Sequence, residues 1–151
     1  RKVLEKDVKF HVRGATKIYR RECWQTIGHL IMAPGWDTLD EIKANMNNWE
    51  TMTFFDIPII QHKMTGGADG TWQNWVKNGL ANYIAGYHPI FMILKCLKRI
   101  FNKPYFITSL GLWWGYCSGY INKTPKVNEP DLIQYLRKEQ MKKLLLKKSI
   151  W

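Results

Sequence analysis

The stretch PGWDTLDEIKANMNNWETMTFFDIPIIQHK, residues 34–63, decides the fold that the sequence predicts. Its first part reads as a short helix that Asp37 or Thr38 caps and that ends near Asn48, since Asp and Thr favour helix starts. Residues 51–61 then read as a strand that ends at His62. The order predicts an α/β arrangement with the acidic helix start and the histidine at one end of a sheet, where open α/β sheets bind ligands.

The residues before this stretch extend the same prediction toward the N-terminus. Residues 8–19 read as a strand or loop, and residues 20–31 show apolar side chains at a helical spacing that Ala-Pro-Gly at 33–35 ends. Residues 63–70 are rich in glycine and predict a flexible loop. We therefore expect residues 1–70 to form part of an α/β domain.

From residue 71 the character of the chain changes. Residues 71–151 predict an all-helical, membrane-associated region, which makes a second domain after 1–70. Residues 89–101 read as a helix that ends in basic side chains, and 131–151 as a basic amphipathic helix. The 17 residues from 105 to 121 carry no charge, and their glycines recur every four residues, a spacing that lets helices pack closely. This segment is short for a crossing, so we expect a membrane-embedded or interfacial pair with 89–101.

Charge and composition limit the partners. The 23 Lys and Arg outnumber the 12 Asp and Glu, which gives a net charge of +11 and predicts an anionic partner. No zinc-finger spacing, RNP-like aromatic pattern or recognition helix is present, so we expect no nucleic acid. The basic residues flank apolar stretches, an arrangement that fits an anionic membrane surface. The three cysteines form no CxxC pair, so zinc is not expected.

Two acidic or imidazole groups are candidates for chemistry. Asp37 is either a helix cap or a general base, and the nearby charges of Asp40 and Glu41 would raise the pKa of such a base by repulsion. His62 is either an ordinary polar residue at a strand end or a ligand for a metal or a phosphate. The residues alone leave both alternatives open.

Three arginines surround the first junction between strand and helix: Arg13, Arg20 and Arg21. Such a group is either a solvated basic face or a clamp for the phosphates of a substrate, because guanidinium groups bind phosphate through paired hydrogen bonds.

Residues 8–70 resemble the second half of a family 2 glycosyltransferase with the GT-A fold. Three stretches carry the resemblance by their order: HVRGATKIYRRECWQTIG, PGWDTLDEIKANMNNW and FFDIPIIQHKMTGGADG. The resemblance implies that residues 1–70 form part of the Rossmann-like sheet of that fold. Trp36 and Asp37 stand where that family usually has Glu-Asp, Lys43 stands where it has Arg, and His62 matches a closing histidine. The tail resembles the membrane-associated helices of bacterial members that build surface polysaccharides.

The resemblance implies an enzyme that moves a sugar from a nucleotide-sugar donor to a lipid-linked or saccharide acceptor with inversion. Asp37 would be the catalytic base, with Asp40 as an alternative, and His62 would lie near a metal-bound diphosphate. Basic and aromatic residues would form the acceptor side: Arg13, Arg20, Arg21, Trp36 and Lys43. The resemblance also implies a location at the cytoplasmic face of the plasma membrane.

The cofactor implied by the resemblance is Mg²⁺ or Mn²⁺, held mainly by an N-terminal half of the enzyme. This sequence contains no Asp-x-Asp, so we expect it to be a C-terminal fragment that lacks the donor site. Two other functions remain open. One is a non-catalytic membrane-surface module or split-enzyme subunit, and the other is a nucleic-acid-binding protein with salt-sensitive binding.

Overall fold

The computed structural model describes residues 11, 12, 14–54, 57, 70–101 and 104–150. Within these residues the chain has one short 3-10 turn, Gly14–Thr16, and six α-helices. The helices are α1 (Arg21–Ile27), α2 (Trp36–Met46), α3 (Thr71–Ile84), α4 (Pro89–Arg99), α5 (Ile107–Ile121) and α6 (Pro130–Leu144).

The α/β prediction is wrong for the described part of the chain, because none of its residues forms a strand and it contains no sheet. Residues 51–54, the start of the predicted strand 51–61, have no regular structure, and most of the remainder lies outside the described residues. A strand needs a neighbouring strand to pair its backbone groups. Here the Thr53 hydroxyl donates instead to the carbonyl of His11, at 3.0 Å. The described residues therefore contain no part of the predicted Rossmann-like sheet.

Two glycines set the ends of the first helices. Gly28 takes a left-handed conformation with φ of 65°, so α1 stops there and not at Ala33. Gly35, with φ of 83°, precedes α2 and is its N-terminal cap residue. The prediction that Asp37 or Thr38 caps this helix is wrong, because the helix begins before them and places Asp37 inside the first turn.

Glycine contacts bring α3 and α5 together as parallel neighbours. A Cβ added at Gly115 would overlap the backbone carbonyl of Val76, and one added at Gly79 would overlap that of Leu112. The predicted close packing of the 105–121 segment is confirmed, but the glycines face α3 and not the 89–101 helix. Close approach of two backbones requires small residues at the contact, and glycine supplies the least volume.

One apolar core joins α2 to the four later helices. It contains Leu39 and Ile42 of α2 together with Met92, Leu112 and Leu136 from α4, α5 and α6. A smaller cluster around Ile27, Cys23 and Ala44 joins α1 to α2. The division of the chain at residue 70 stays a prediction, because residues 58–69 lie outside the described part. No helix within the described ranges has the length and apolar character needed to cross a membrane.

Candidate functional site

The start of α2 gathers carboxylates around one lysine. Asp40 and Glu41 are 1% and 3% exposed. The Lys17 ammonium lies 2.8 Å from Asp40 Oδ1 and 3.0 Å from Glu41 Oε1, and its side chain is also buried. Buried carboxylates are costly without a cation and hydrogen bonds, so the Lys17 ammonium offsets part of the cost of burying Asp40 and Glu41.

Both oxygens of Asp40 are occupied. The Tyr19 hydroxyl donates to Oδ2, and the backbone N–H of Glu41 donates to Oδ1 at 2.8 Å. Burial and this hydrogen bond raise the pKa of Tyr19 far above its usual value, so its phenol stays protonated and remains a donor. Asp40 was predicted as an alternative base. In this arrangement its carboxylate is fully used in holding residues 17–19 against α2.

Glu41 is occupied in the same way. Val12 N–H donates to Glu41 Oε1 at 2.6 Å, and His11 Nδ1 lies 2.9 Å from Oε2. The hydrogen bond to Glu41 raises the pKa of His11, against the opposing effect of burial, because it favours the charged imidazolium. Asp40 and Glu41 therefore join the segment before α1 to α2 as a structural pair.

Asp37 differs from its two acidic neighbours. It is half-buried, and its carboxylate makes no hydrogen bond or ion pair with any residue that the structure describes. Lys17 Nζ donates to the backbone carbonyl of Asp37. Burial raises the pKa of Tyr87, and the charges of Asp37 and Glu41 raise it further. A Cβ at Gly35 would lie 3.7 Å from the Cβ of Ala81, so the start of α2 adjoins the end of α3.

The aromatic and basic residues predicted on the acceptor side are dispersed around this point. Trp36 is half-buried next to Asp37, and Lys17 Nζ lies 5.6 Å from its ring centroid. Lys43 pairs with Glu129 at 2.7 Å, so its charge joins α2 to the start of α6.

The predicted arginines are only partly described. Arg20 and Arg21 are exposed where α1 begins, and neither forms an ion pair with a described residue. Arg13 and His62 lie outside the described residues. Trp36 and Asp37 are therefore neighbours at the start of α2, whereas Arg20 and Arg21 lie where α1 begins. The predicted metal contact of His62 stays a prediction.

The described residues do not fit a divalent cation at α2. Metal-binding carboxylates need free oxygens, whereas those of Asp40 and Glu41 are neutralised by Lys17 and its neighbours. Across the described ranges, no group of three or more His, Cys, Asp and Glu is arranged to hold a metal ion. We therefore assign no metal ion to the residues at the start of α2.

A second surface feature is the exposed apolar side of α4 and α5, here called the α4–α5 apolar surface. Six of its side chains are between 44% and 57% exposed: Ile90, Ile93, Leu94, Leu97, Leu110 and Trp114. Monomeric soluble proteins rarely expose a contiguous patch of this kind, and such patches mark sites of contact with membranes or other proteins.

Charge around this surface has one sign. Residues 70–128 contain no Asp or Glu, and they carry seven basic residues: Lys77, Lys95, Lys98, Arg99, Lys103, Lys123 and Lys126. The sequence itself shows this segment of one charge sign, although the net charge of +11 does not reveal where the positive charge lies. Sequence reasoning also missed Lys17, Tyr19 and His11, for which no local signal exists, because their partners are 20 to 30 residues away.

The family 2 glycosyltransferase resemblance stays a prediction from motif order and from four residues of the sequence: Trp36, Asp37, Lys43 and His62. Comparison of the chain with protein-family models, curated proteins and solved structures gives no match.

Proposed function

We propose that this chain carries the acceptor side of an inverting glycosyltransferase at an anionic membrane surface, with Asp37 as the general base. One observation carries the proposal. Three carboxylates lie at the start of α2. Asp40 and Glu41 form ion pairs with Lys17, whereas the Asp37 carboxylate has no partner among the described residues. A general base must have a free oxygen within hydrogen-bond reach of the hydroxyl that it deprotonates.

The proposed reaction is a direct displacement. The acceptor hydroxyl oxygen forms a bond to the anomeric carbon of the donor, while Asp37 accepts the hydroxyl proton. The bond from the anomeric carbon to the nucleoside diphosphate breaks, the diphosphate leaves with the electron pair, and the configuration inverts. Trp36 would contact the acceptor sugar next to Asp37. The sequence contains no Asp-x-Asp, so the proposal assigns donor binding to residues beyond this chain.

Asp37→Asn, made in the natural protein that contains this chain, should lower kcat for sugar transfer at least about 100-fold, the usual contribution of a general base. The matched control is Asp131→Asn. Both aspartates are the second residue of their helix, so the two substitutions cost the helix dipole about the same. The measurement is transfer of labelled sugar from nucleotide-sugars to a lipid extract of the source cells. Equal rates for the two variants would contradict the role of Asp37.

A non-catalytic membrane-surface module is the second candidate, favoured by the α4–α5 apolar surface and its positive surroundings. Ile93→Gln should lower partition onto anionic vesicles about ten-fold, because burying one aliphatic side chain contributes about 1.5 to 3 kcal/mol. Ile18→Gln is the matched control, since Ile18 is 96% exposed and lies before α1. Vesicle flotation measures both. Similar losses for Ile93 and Ile18 variants would contradict binding through this surface, and binding without any sugar transfer would favour the module over the enzyme.

A further inference from the structure

Residues 11, 12 and 14–19, here called the α2 strap, lie across the start of α2 and contact both residues of the proposed acceptor site. A Cβ added at Gly14 would lie 3.0 Å from Cζ2 of the Trp36 ring and 3.5 Å from the Cβ of Asp37. The strap backbone therefore fills the space at this edge of the ring. A sugar that contacts the ring there and the docked strap exclude one another.

Ion pairs and hydrogen bonds hold the α2 strap in place more than apolar packing does. The Lys17 ammonium lies 2.8 Å from Asp40 Oδ1, and the Tyr19 hydroxyl donates to Oδ2. None of the described strap residues belongs to the main apolar core, and Ile18 is 96% exposed. Segments with few buried apolar contacts detach at a lower free energy than the core unfolds. The strap can therefore leave α2 while α2–α6 stay folded.

His11 holds the far end of the strap. Its Nδ1 lies 2.9 Å from Glu41 Oε2, and the Thr53 hydroxyl donates to its backbone carbonyl at 3.0 Å. Two further charges act on the imidazole, the carboxylate of Asp37 from α2 and the ammonium of Lys17 from the strap itself. The negative charges favour the imidazolium form and the ammonium opposes it.

Charge among the buried groups balances only when His11 is protonated. Asp40 and Glu41 carry two negative charges, and Lys17 supplies one positive charge. The hydrogen bond to Glu41 raises the pKa of His11 above its ordinary value of 6.5. Protonation therefore favours docking of the strap. This contribution is complete below a pH of about 6.5 and is lost as the pH rises through the raised pKa.

We propose that the α2 strap is an autoinhibitory segment that covers Trp36 and Asp37 when docked, with the contact between His11 and Glu41 as its latch. The proposal rests on the acceptor-side role of Asp37 given above and adds the regulation of that site. Detachment frees the edge of the Trp36 ring and opens the approach to Asp37. A pH above the raised pKa of His11 favours the open form.

Amide hydrogen exchange measures detachment without any sugar. The Val12 N–H donates to Glu41 Oε1 at 2.6 Å, so its exchange, corrected for the intrinsic rate, reports opening of the strap. His11→Asn should speed this exchange about ten-fold at a pH of about 6, because a hydrogen bond to a charged group stabilises by at least about that factor. The difference from the parent should shrink at higher pH. The matched control, His29→Asn, changes an exposed histidine just after α1 and should leave the exchange unchanged.

Asp37→Cys gives a direct readout of access to the site. A bulky maleimide should label the thiol at position 37 only when the strap is detached, and peptide mapping separates this label from the three native cysteines. Adding His11→Asn should speed the labelling about ten-fold, as for the exchange, whereas adding His29→Asn should not. Equal labelling rates in the two backgrounds would overturn the proposal, even if Val12 exchanges faster, because the strap would then move without covering Asp37.

Sugar transfer by the natural protein separates this proposal from the catalytic role of Asp37. His11→Asn should lower the acceptor concentration for half-maximal transfer up to about ten-fold at a pH of about 6, because apparent affinity follows the fraction of open form. A higher concentration would overturn autoinhibition and make the strap a wall of the acceptor site. If Asp37→Asn leaves transfer unchanged, the catalytic role fails, and the exchange and labelling results still decide whether the strap covers position 37.

Discussion

Gly115→Ala should destabilise the fold by about 3 kcal/mol or more, the upper part of the range for an overpacked contact. The added methyl group would overlap the carbonyl of Val76 and crowd the backbone N of Leu80. Backbone atoms of α3 cannot turn aside as a side chain does, so the two helices must separate. The gain in helix propensity from glycine to alanine, about 1 kcal/mol, offsets only part of this loss.

Gly111→Ala is the matched control, because it makes the same change one turn earlier in α5. A Cβ at Gly111 would lie 3.0 Å from the Cβ of Trp75 and 3.3 Å from the carbonyl of Trp72. A shift of a few tenths of an ångström relieves these contacts, so we expect Gly111→Ala to stay within about 1 kcal/mol of the parent. Urea unfolding of both variants measures the difference. Equal stabilities would contradict the direct backbone contact between α3 and α5.

Lys17→Met should cost about 3 to 5 kcal/mol of unfolding free energy, the range for breaking a buried ion pair by removing one partner. The variant leaves Asp40 and Glu41 buried without their shared ammonium group. Tyr19 and His11 still contact these carboxylates but supply only hydrogen bonds and, through His11, a charge that depends on pH. We expect residues 11–20 to detach from α2 before the remaining helices unfold.

The control for Lys17 is Lys43→Met, the same substitution in a more exposed ion pair. The side chains of Lys43 and Glu129 are 17% and 32% exposed, so water compensates for much of the lost attraction. We expect a loss of no more than about 1 kcal/mol. Thermal unfolding and amide hydrogen exchange report both variants. A loss for Lys17→Met as small as that for Lys43→Met would mean that the acidic pair does not depend on Lys17.

Helices of the C-terminal part could be predicted because their signals are local. The helix predicted at 89–101 is observed as α4 at Pro89–Arg99, and the one at 105–121 as α5 at Ile107–Ile121. The glycine spacing in α5 also predicted close packing. It did not identify α3 as the partner, because a repeat shows which face of a helix is small and not what lies against it.

The prediction of a strand was wrong for residues 51–54 because a strand, like a helix contact, depends on a partner that local sequence does not identify. Apolar and β-branched residues at 51–61 favour an extended backbone, but a sheet exists only when another strand pairs with it. For residues 51–54 no such strand is present in the described part of the chain. The start of α2 also could not be predicted from composition. Gly35 is the N-terminal cap residue, so Asp37 lies inside the first turn and does not cap the helix.

The candidate site was only partly predictable. The spacing of Asp37, Asp40 and Glu41 predicted that they share the first turns of a helix, which is confirmed. It did not show which carboxylate would be free, because Lys17 and Tyr19 reach Asp40 from more than 20 residues away.

Chemical rescue of an Asp37→Ala variant tests the central claim most directly. In the natural protein, this substitution removes the proposed base and leaves a space beside Trp36 for a small external carboxylate. The account predicts that sugar transfer falls at least about 100-fold and that added formate restores part of the rate, with no rescue for the parent protein. Transfer by the Asp37→Ala variant at the parental rate, with or without formate, would contradict the account.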